Sequence, residues 1–279
     1  MAFGELGTQA LRAENVDRVI KGLATPRFTM KQALSVVNSG AWSESYYRES
    51  DTELTATAKI ARLAAFPQQS PIWEKQTAYN QKHGLEVDIS IEDVLADNID
   101  VLARSQLRIA RAVTKSVDDL IYTTLSTATG VRSVATTVDY EWDSTTRGNR
   151  HPQDQIGQAI EDIQEKNYEA THLFVNPRDY RLLVTNDDVL DAFTPTQNLM
   201  LNGVMGTLLG LTVVKSNAVP ADEALVLEAK TCGTYREVAG LRTEVIDVPG
   251  IKKTVRAWEI GVPFVTDPNA VVRITNTNL

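Results

Sequence analysis

The strongest alternation of apolar and polar positions runs from Ser90 to Leu125, SIEDVLADNIDVLARSQLRIARAVTKSVDDLIYTTL. Ser90 followed three residues later by Asp93 predicts a capped helical turn, in which the hydroxyl accepts a bond from an otherwise orphaned backbone N–H. A break is expected at Asp97-Asn98. From Ile99 to Leu125 there is neither Gly nor Pro, so the spacing predicts one helix roughly 40 Å long. A step of 100° per residue gathers Leu95, Ile99, Leu102, Ile109, Ala110, Val113, Val117, Leu120 and Ile121 into one apolar stripe. Arg104, Arg108, Arg111 and Lys115, at spacings of four, three and four, form a narrow basic stripe on the opposite face. Such a helix packs on something large from one side only.

Before this stretch the pattern is weaker. Leu6, Leu11, Val16, Val19, Ile20 and Leu23 predict a sparse amphipathic lead-in that lies on another surface, ending at Thr25-Pro26. A short helix is expected over Met30–Val37. Leu54–Leu63, Ile72–Tyr79 and Leu85–Ile89 read as extended runs, and Pro67 and Pro71 bracket a turn between the first two. These runs form a long hairpin with little core of its own. An isolated hairpin is marginal in water, so it needs a surface from this subunit or a neighbour.

Beyond the long helix, a strand pair is expected around Val134–Trp142. An amphipathic helix over Asp154–Lys166 presents Ile156, Ala159, Ile160 and Ile163. A buried-type strand, His172–Val175, turns at Asn176-Pro177 into a short helix over Asp179–Val184, which together make an α/β unit. Residues 185–210 are loop-rich. Leu211–Lys215, Ala224–Glu228, Leu241–Val248, Lys252–Ile260 and Val271–Thr275 predict strands, with Pro249-Gly250 as a hairpin turn.

Composition narrows the function classes. The 279 residues are 43% hydrophobic with a formal net charge of −8, which suits a folded protein and disfavours general coating of nucleic acid. The single cysteine, Cys232, has no disulfide partner within the chain and reads as a small buried residue rather than a nucleophile. The N-terminus has no signal-peptide core and no apolar run reaches membrane-spanning length, which predicts a soluble protein made in the cytoplasm. Nucleotide-binding glycine fingerprints, a phosphate-cradling loop and a His-Glu-x-x-His motif are all missing. His83, His151 and His172 lie far apart, and Gly203, Gly206 and Gly210 do not follow a strand. Asp118-Asp119 and Asp187-Asp188 are adjacent rather than spaced to converge, so no catalytic, cofactor or metal site is expected. The basic stripe reads first as a solvated helix face, with phosphate or a neighbour's carboxylates as alternatives.

The order of parts resembles the HK97-fold major capsid proteins of tailed double-stranded DNA viruses. The resemblance is carried by SIEDVLADNI from Ser90 to Ile99, LFVNPRDY from Leu173 to Tyr180, LLGLTVVKSNAVP from Leu208 to Pro220, and the closing run from Trp258 to Thr275. It implies an α+β capsid fold in four parts: an N-terminal arm over 1–47, an extended hairpin loop over 48–86, a peripheral domain over 87–147 and 241–279 built on the spine helix, and an α/β axial domain over 148–240. It further implies a structural subunit without enzymatic activity, forming pentamers and hexamers of an icosahedral virion capsid around DNA. Scaffolding, portal and decoration proteins would be further partners, no membrane would be involved, and synthesis would occur in the host cytoplasm. Arg62, Pro67, Pro71 and Trp73 become candidate hairpin contacts with a neighbour. Arg104, Arg108, Arg111 and Lys115 become a stripe facing either another subunit or the genome, the acidity of the chain favouring the protein contact. An encapsulin-like nanocompartment shares the same fold, and a soluble α/β enzyme using 148–240 is the alternative of another class.

Overall fold

The computed structural model describes residues 15–16, 18–20, 28–49, 56, 59–70, 72–96, 99–144, 146–186, 189 and 206–278. Three sheets and one long helix organise them. Strands β1 (Ser35–Asn38), β2 (Ser43–Glu49), β3 (Trp73–Tyr79) and β4 (Gln81–Ser90) precede helix α1 (Ile91–Leu95) and the spine helix α2 (Ile99–Thr127). There follow β5 (Arg132–Ala135), α3 (Pro152–Gln164), β6 (His172–Val175), α4 (Pro177–Val184), β7 (Thr207–Leu208), β8 (Leu211–Lys215), β9 (Glu223–Leu227), β10 (Gly233–Val248), β11 (Lys252–Val265) and β12 (Val271–Thr275).

A four-stranded sheet has the order β1-β10-β11-β4, a six-stranded sheet the order β5-β12-β9-β6-β8-β7, and β2-β3 form a separate ribbon. The spine helix crosses both large sheets. In its first half Ile109, Ala110 and Val113 pack against Ile89, Leu241, Val255 and Ala257 of the four-stranded sheet. In its second half Val117, Ile121, Tyr122 and Leu125 meet Phe174, Leu225, Leu227 and Val271 of the six-stranded sheet. The opposite face of that sheet, with Leu173, Val175, Ala224 and Val226, is covered by Ile156, Ala159 and Ile163 of α3 and by Leu183 of α4. The central strands are therefore apolar on both faces, which is why they read as continuous runs rather than alternating ones. Each fully buried aliphatic side chain contributes about 1.5–3 kcal/mol relative to its exposed state.

The capped start of α1 is as expected: Ser90 Oγ accepts from the Asp93 amide at 3.1 Å. Asn176 caps α4 in the same way, accepting from the Arg178 amide at 2.9 Å, with Pro177 at the first helical position. The break expected at Asp97-Asn98 lies outside the described residues.

Several expectations are corrected. Leu95 is exposed rather than part of the buried stripe. Met30–Ala33 form a single 3-10 turn, after which Ser35–Asn38 run as a strand parallel to β10 instead of continuing as a helix. Val36 and Val37 are β-branched, and the exposed edge of β10 satisfies their backbone. The first strand of the ribbon is Ser43–Glu49, not Leu54–Leu63, whose described residues carry no strand. Around Val134–Trp142 there is one strand, β5, pairing in parallel with β12, rather than a local pair. The lead-in is not merely laid on a distant surface: Val16 and Ile20 are fully buried in the same cluster as Ile109 and Val113.

Candidate functional site

The ribbon's pairing register decides which side chains share a face. Ser43 lies opposite Tyr79, Tyr47 opposite Lys75 and Glu49 opposite Trp73, so Tyr47, Trp73 and Tyr79 occupy one face. That face is open: Tyr47 is 61% exposed, Trp73 49% and Tyr79 67%, with Trp42 just before the ribbon at 66%. Leu63, Phe66 and Ile72, in the connection between the two strands, are also exposed. Aromatic side chains this large are normally covered when they are concentrated in one place.

The other face carries Glu44, Tyr46, Arg48, Glu74, Gln76 and Ala78 and turns towards the subunit. Tyr46 stacks on Phe264 of β11, and Arg48 pairs with Glu74 across the ribbon at 2.5 Å. The Glu49 amide donates to the Thr266 carbonyl at 2.9 Å. Asn80 makes the junction between β3 and β4, its side-chain amide donating to the carbonyls of Ala41 and Trp42 at 2.9 and 3.0 Å. Burial pushes the Glu49 carboxyl up, and the adjacent Asp267 carboxylate pushes it further in the same direction.

Of the residues expected from sequence to make hairpin contacts, Arg62 and Pro67 lie in the exposed connection and Trp73 on the open face. Pro71 lies outside the described residues. Arg104, Arg108, Arg111 and Lys115 are all exposed along one side of the spine helix. Arg111 and Lys115 also line a cleft of about 580 Å³, whose far wall is Lys215, Ser216, Asn217 and Ala218 and whose floor includes Thr29 and Asp118. Asp118 accepts from the amides of Thr29 and Met30 at 2.9 and 3.1 Å and from Thr29 Oγ1 at 2.9 Å. Burial raises its carboxyl against those hydrogen bonds. Asp118 thus anchors the 3-10 turn to the spine helix. Its adjacency to Asp119 gave no hint of this in sequence, because the donors are 88 and 89 residues away.

The histidines do not converge. His83 Nδ1 lies 2.7 Å from Ser116 Oγ, and burial lowers its pKa. His172 is likewise lowered, first by burial and then by the Lys230 charge. Cys232 is fully buried with Sγ 3.4 Å from the Ala33 carbonyl, and burial pushes the thiol up to about 12. Among the described residues no group of three or more His, Cys, Asp or Glu side chains is placed to hold a metal, and no helix is long and apolar enough to cross a membrane.

A spine helix bridging two sheets, a projecting ribbon with an aromatic outer face and a two-sided α/β layer together define an α+β capsid subunit of the HK97-like type. The chain belongs to the phage capsid protein family, whose model matches residues 74–274. It is a structural component of the virion capsid and not an enzyme. Solved structures agree on the fold. The capsid of cyanophage P-SCSP1u matches with a TM-score of 0.67 at 14% identity, over 89% of this chain and 88% of that one. A virus-like particle from Pyrococcus furiosus matches with a TM-score of 0.65 at 10% identity, over 94% and 98%. The capsid of a native GTA particle matches with a TM-score of 0.62 at 14% identity, over 90% and 91%. A comparison with curated protein sequences finds no match.

Proposed function

We propose that this capsid subunit assembles with copies of itself into the pentamers and hexamers of an icosahedral shell around double-stranded DNA. The observation that carries the reading is the open aromatic face of Tyr47, Trp73 and Tyr79 on a ribbon whose other face is rooted on Phe264. A ribbon held from one side and carrying three exposed aromatic rings on the other suits a neighbouring subunit, where those rings would be desolvated. Within this reading residues 1–47 act as the arm and 48–86 as the extended loop, its pairing reaching back to Ser43. Residues 87–147 with 241–279 form the peripheral domain on the spine helix, and 148–240 the axial domain, to whose sheet β5 and β12 add from the outer segments. Arg62, Pro67, Pro71 and Trp73 belong to the surface that meets the neighbour. Synthesis takes place in the host cytoplasm, and scaffolding, portal and decoration proteins are the further partners.

The test is to express the full chain and examine it by negative-stain microscopy and sedimentation. Closed shells of uniform diameter that protect nuclease-resistant DNA in infected cells are the expected result. A protein that stays monomeric or dimeric under all assembly conditions overturns the reading. Shells that enclose a protein cargo and no DNA would replace the virion with a nanocompartment.

A further inference from the structure

The basic side of the spine helix faces no described carboxylate that would account for it. Arg104, Arg108, Arg111 and Lys115 follow one another along about 16 Å of helix, and all four are exposed. Lys215 also lines the cleft at the end of this line, but its ammonium turns to the other side of the sheet, 4.4 Å from the centre of the Tyr180 ring. Two cations of the line, Arg111 and Lys115, therefore open onto this cavity. The acidic group in its wall, Asp118, is already engaged by three hydrogen bonds from Thr29 and Met30. Asp119 lies close enough to Lys115 to feel its charge, but the rest of the line has no ion pair among the described residues.

The four-stranded sheet shows the contrasting case. There Asp88 pairs with Lys252 at 2.6 Å, Glu86 with Arg256 at 2.6 Å, Glu244 with Arg256 at 3.4 Å and Asp247 with Lys253 at 3.6 Å. Those surface carboxylates are neutralised within the chain, which leaves them poor candidates to satisfy a second copy's basic line. A line of four cations is also longer than one or two acidic side chains require. It fits an extended polyanion, in which successive phosphates meet successive guanidinium and ammonium groups.

We propose that the spine-helix face bearing Arg104, Arg108, Arg111 and Lys115 binds the phosphate backbone of DNA. This deepens the shell reading and rests on it: the face would be the inner surface against which the genome lies. Binding of this type carries no sequence preference and weakens steeply with salt, because each neutralised phosphate releases condensed counterions.

The experiment uses the full chain held below its assembly concentration and a short labelled duplex, with fluorescence anisotropy read over a range of salt. The triple variant Arg108→Gln, Arg111→Gln, Lys115→Gln removes three cations of the line while keeping neutral, exposed side chains; an unchanged melting temperature verifies its fold. The expected result is weaker binding and a log–log salt slope shallower by about 2.7, three phosphates at ~0.9 each. An identical slope and affinity in the variant overturns the proposal, as does a wild-type chain that does not bind the duplex at low salt. A variant that binds DNA normally but no longer assembles also overturns it, and assigns the line to carboxylates of a second copy. DNA binding by a chain that never forms shells supports the phosphate site and fails the shell reading, so the two failures are separable.

Discussion

Tyr46 of the ribbon lies flat on Phe264 of β11, with ring centroids 4.2 Å apart and planes inclined by 21°. Tyr46 is half-buried and Phe264 buried, so this contact fastens a projecting element to the core of its own subunit. Desolvation also raises the Tyr46 hydroxyl above its usual range. The two faces of the ribbon should consequently fail in different ways. Tyr46→Ala is expected to lower subunit stability by about 1–2 kcal/mol, seen as an earlier denaturant midpoint. Tyr47→Ser combined with Trp73→Ser should leave that midpoint within about 0.5 kcal/mol yet abolish shell formation in light scattering. Equal loss of stability in both variants would place the aromatic face inside the subunit.

Gly233 opens β10 at a close approach to β11. A Cβ at this position would meet the Phe264 carbonyl oxygen at 2.5 Å and Leu34 Cδ2 at 3.1 Å. The first neighbour is backbone paired in the same ladder and cannot swing away. Gly233→Ala is therefore expected to destabilise by about 1–3 kcal/mol, measured by urea unfolding. Gly148→Ala, with open space around its position, is the control that should show no comparable loss.

Asp179, fully buried at the start of α4, ties the C-terminal segment to the α/β layer. It accepts from Thr277 Oγ1 at 3.3 Å and from the Asn278 side-chain amide, which also donates to the Ala221 carbonyl. Burial outweighs these bonds and the Arg178 charge and pushes the carboxyl up to about 7. A raised carboxyl pKa means the folded state holds a proton that the unfolded chain releases. Its favourable contribution is complete below the ordinary carboxylate range and is lost as pH rises towards 7. Stability should thus decline between about pH 4 and pH 7 through this group, and Asp179→Asn should flatten that part of the profile. An unchanged slope in the variant would refute the assignment.

Cys232 offers a simple probe of cooperativity. Its burial and raised pKa keep the thiolate population very small near neutral pH, so a chromogenic thiol reagent should not label the native chain. Denaturant should release one reactive thiol per chain, following the same transition as the circular dichroism signal. Labelling well before that transition would show that the contact between the 3-10 turn and β10 opens locally.

Different parts of the molecule were legible to different degrees. The capped turn at Ser90, the spine helix, the strands His172–Val175, Leu211–Lys215 and Val271–Thr275 and the hairpin turn at Pro249-Gly250 follow from periodicity, caps and turn chemistry. These signals are local and act over a few residues. Ser43–Glu49, SESYYRE, carries no such signal, because it is mostly polar and draws its strand geometry from Trp73–Tyr79. Ser35–Asn38 depends on the edge of β10 nearly 200 residues later. Leu54–Leu63 has the β-branched composition of a strand, yet its described residues have no partner strand, and propensity alone does not form a ladder.

The site divides in the same way. Sequence by itself determined that the spine helix is apolar on one side and basic on the other, since a helix places residues three and four apart on one face whatever surrounds them. Only the tertiary structure decided that Lys215 turns away from Arg111 and Lys115 to the Tyr180 ring, that Asp118 is engaged by Thr29 and Met30, and that Tyr46 faces inward while Tyr47 faces out. Those relationships depend on strand register and on contacts between residues about a hundred positions apart, where the energy comes from packing and desolvation that no local window contains.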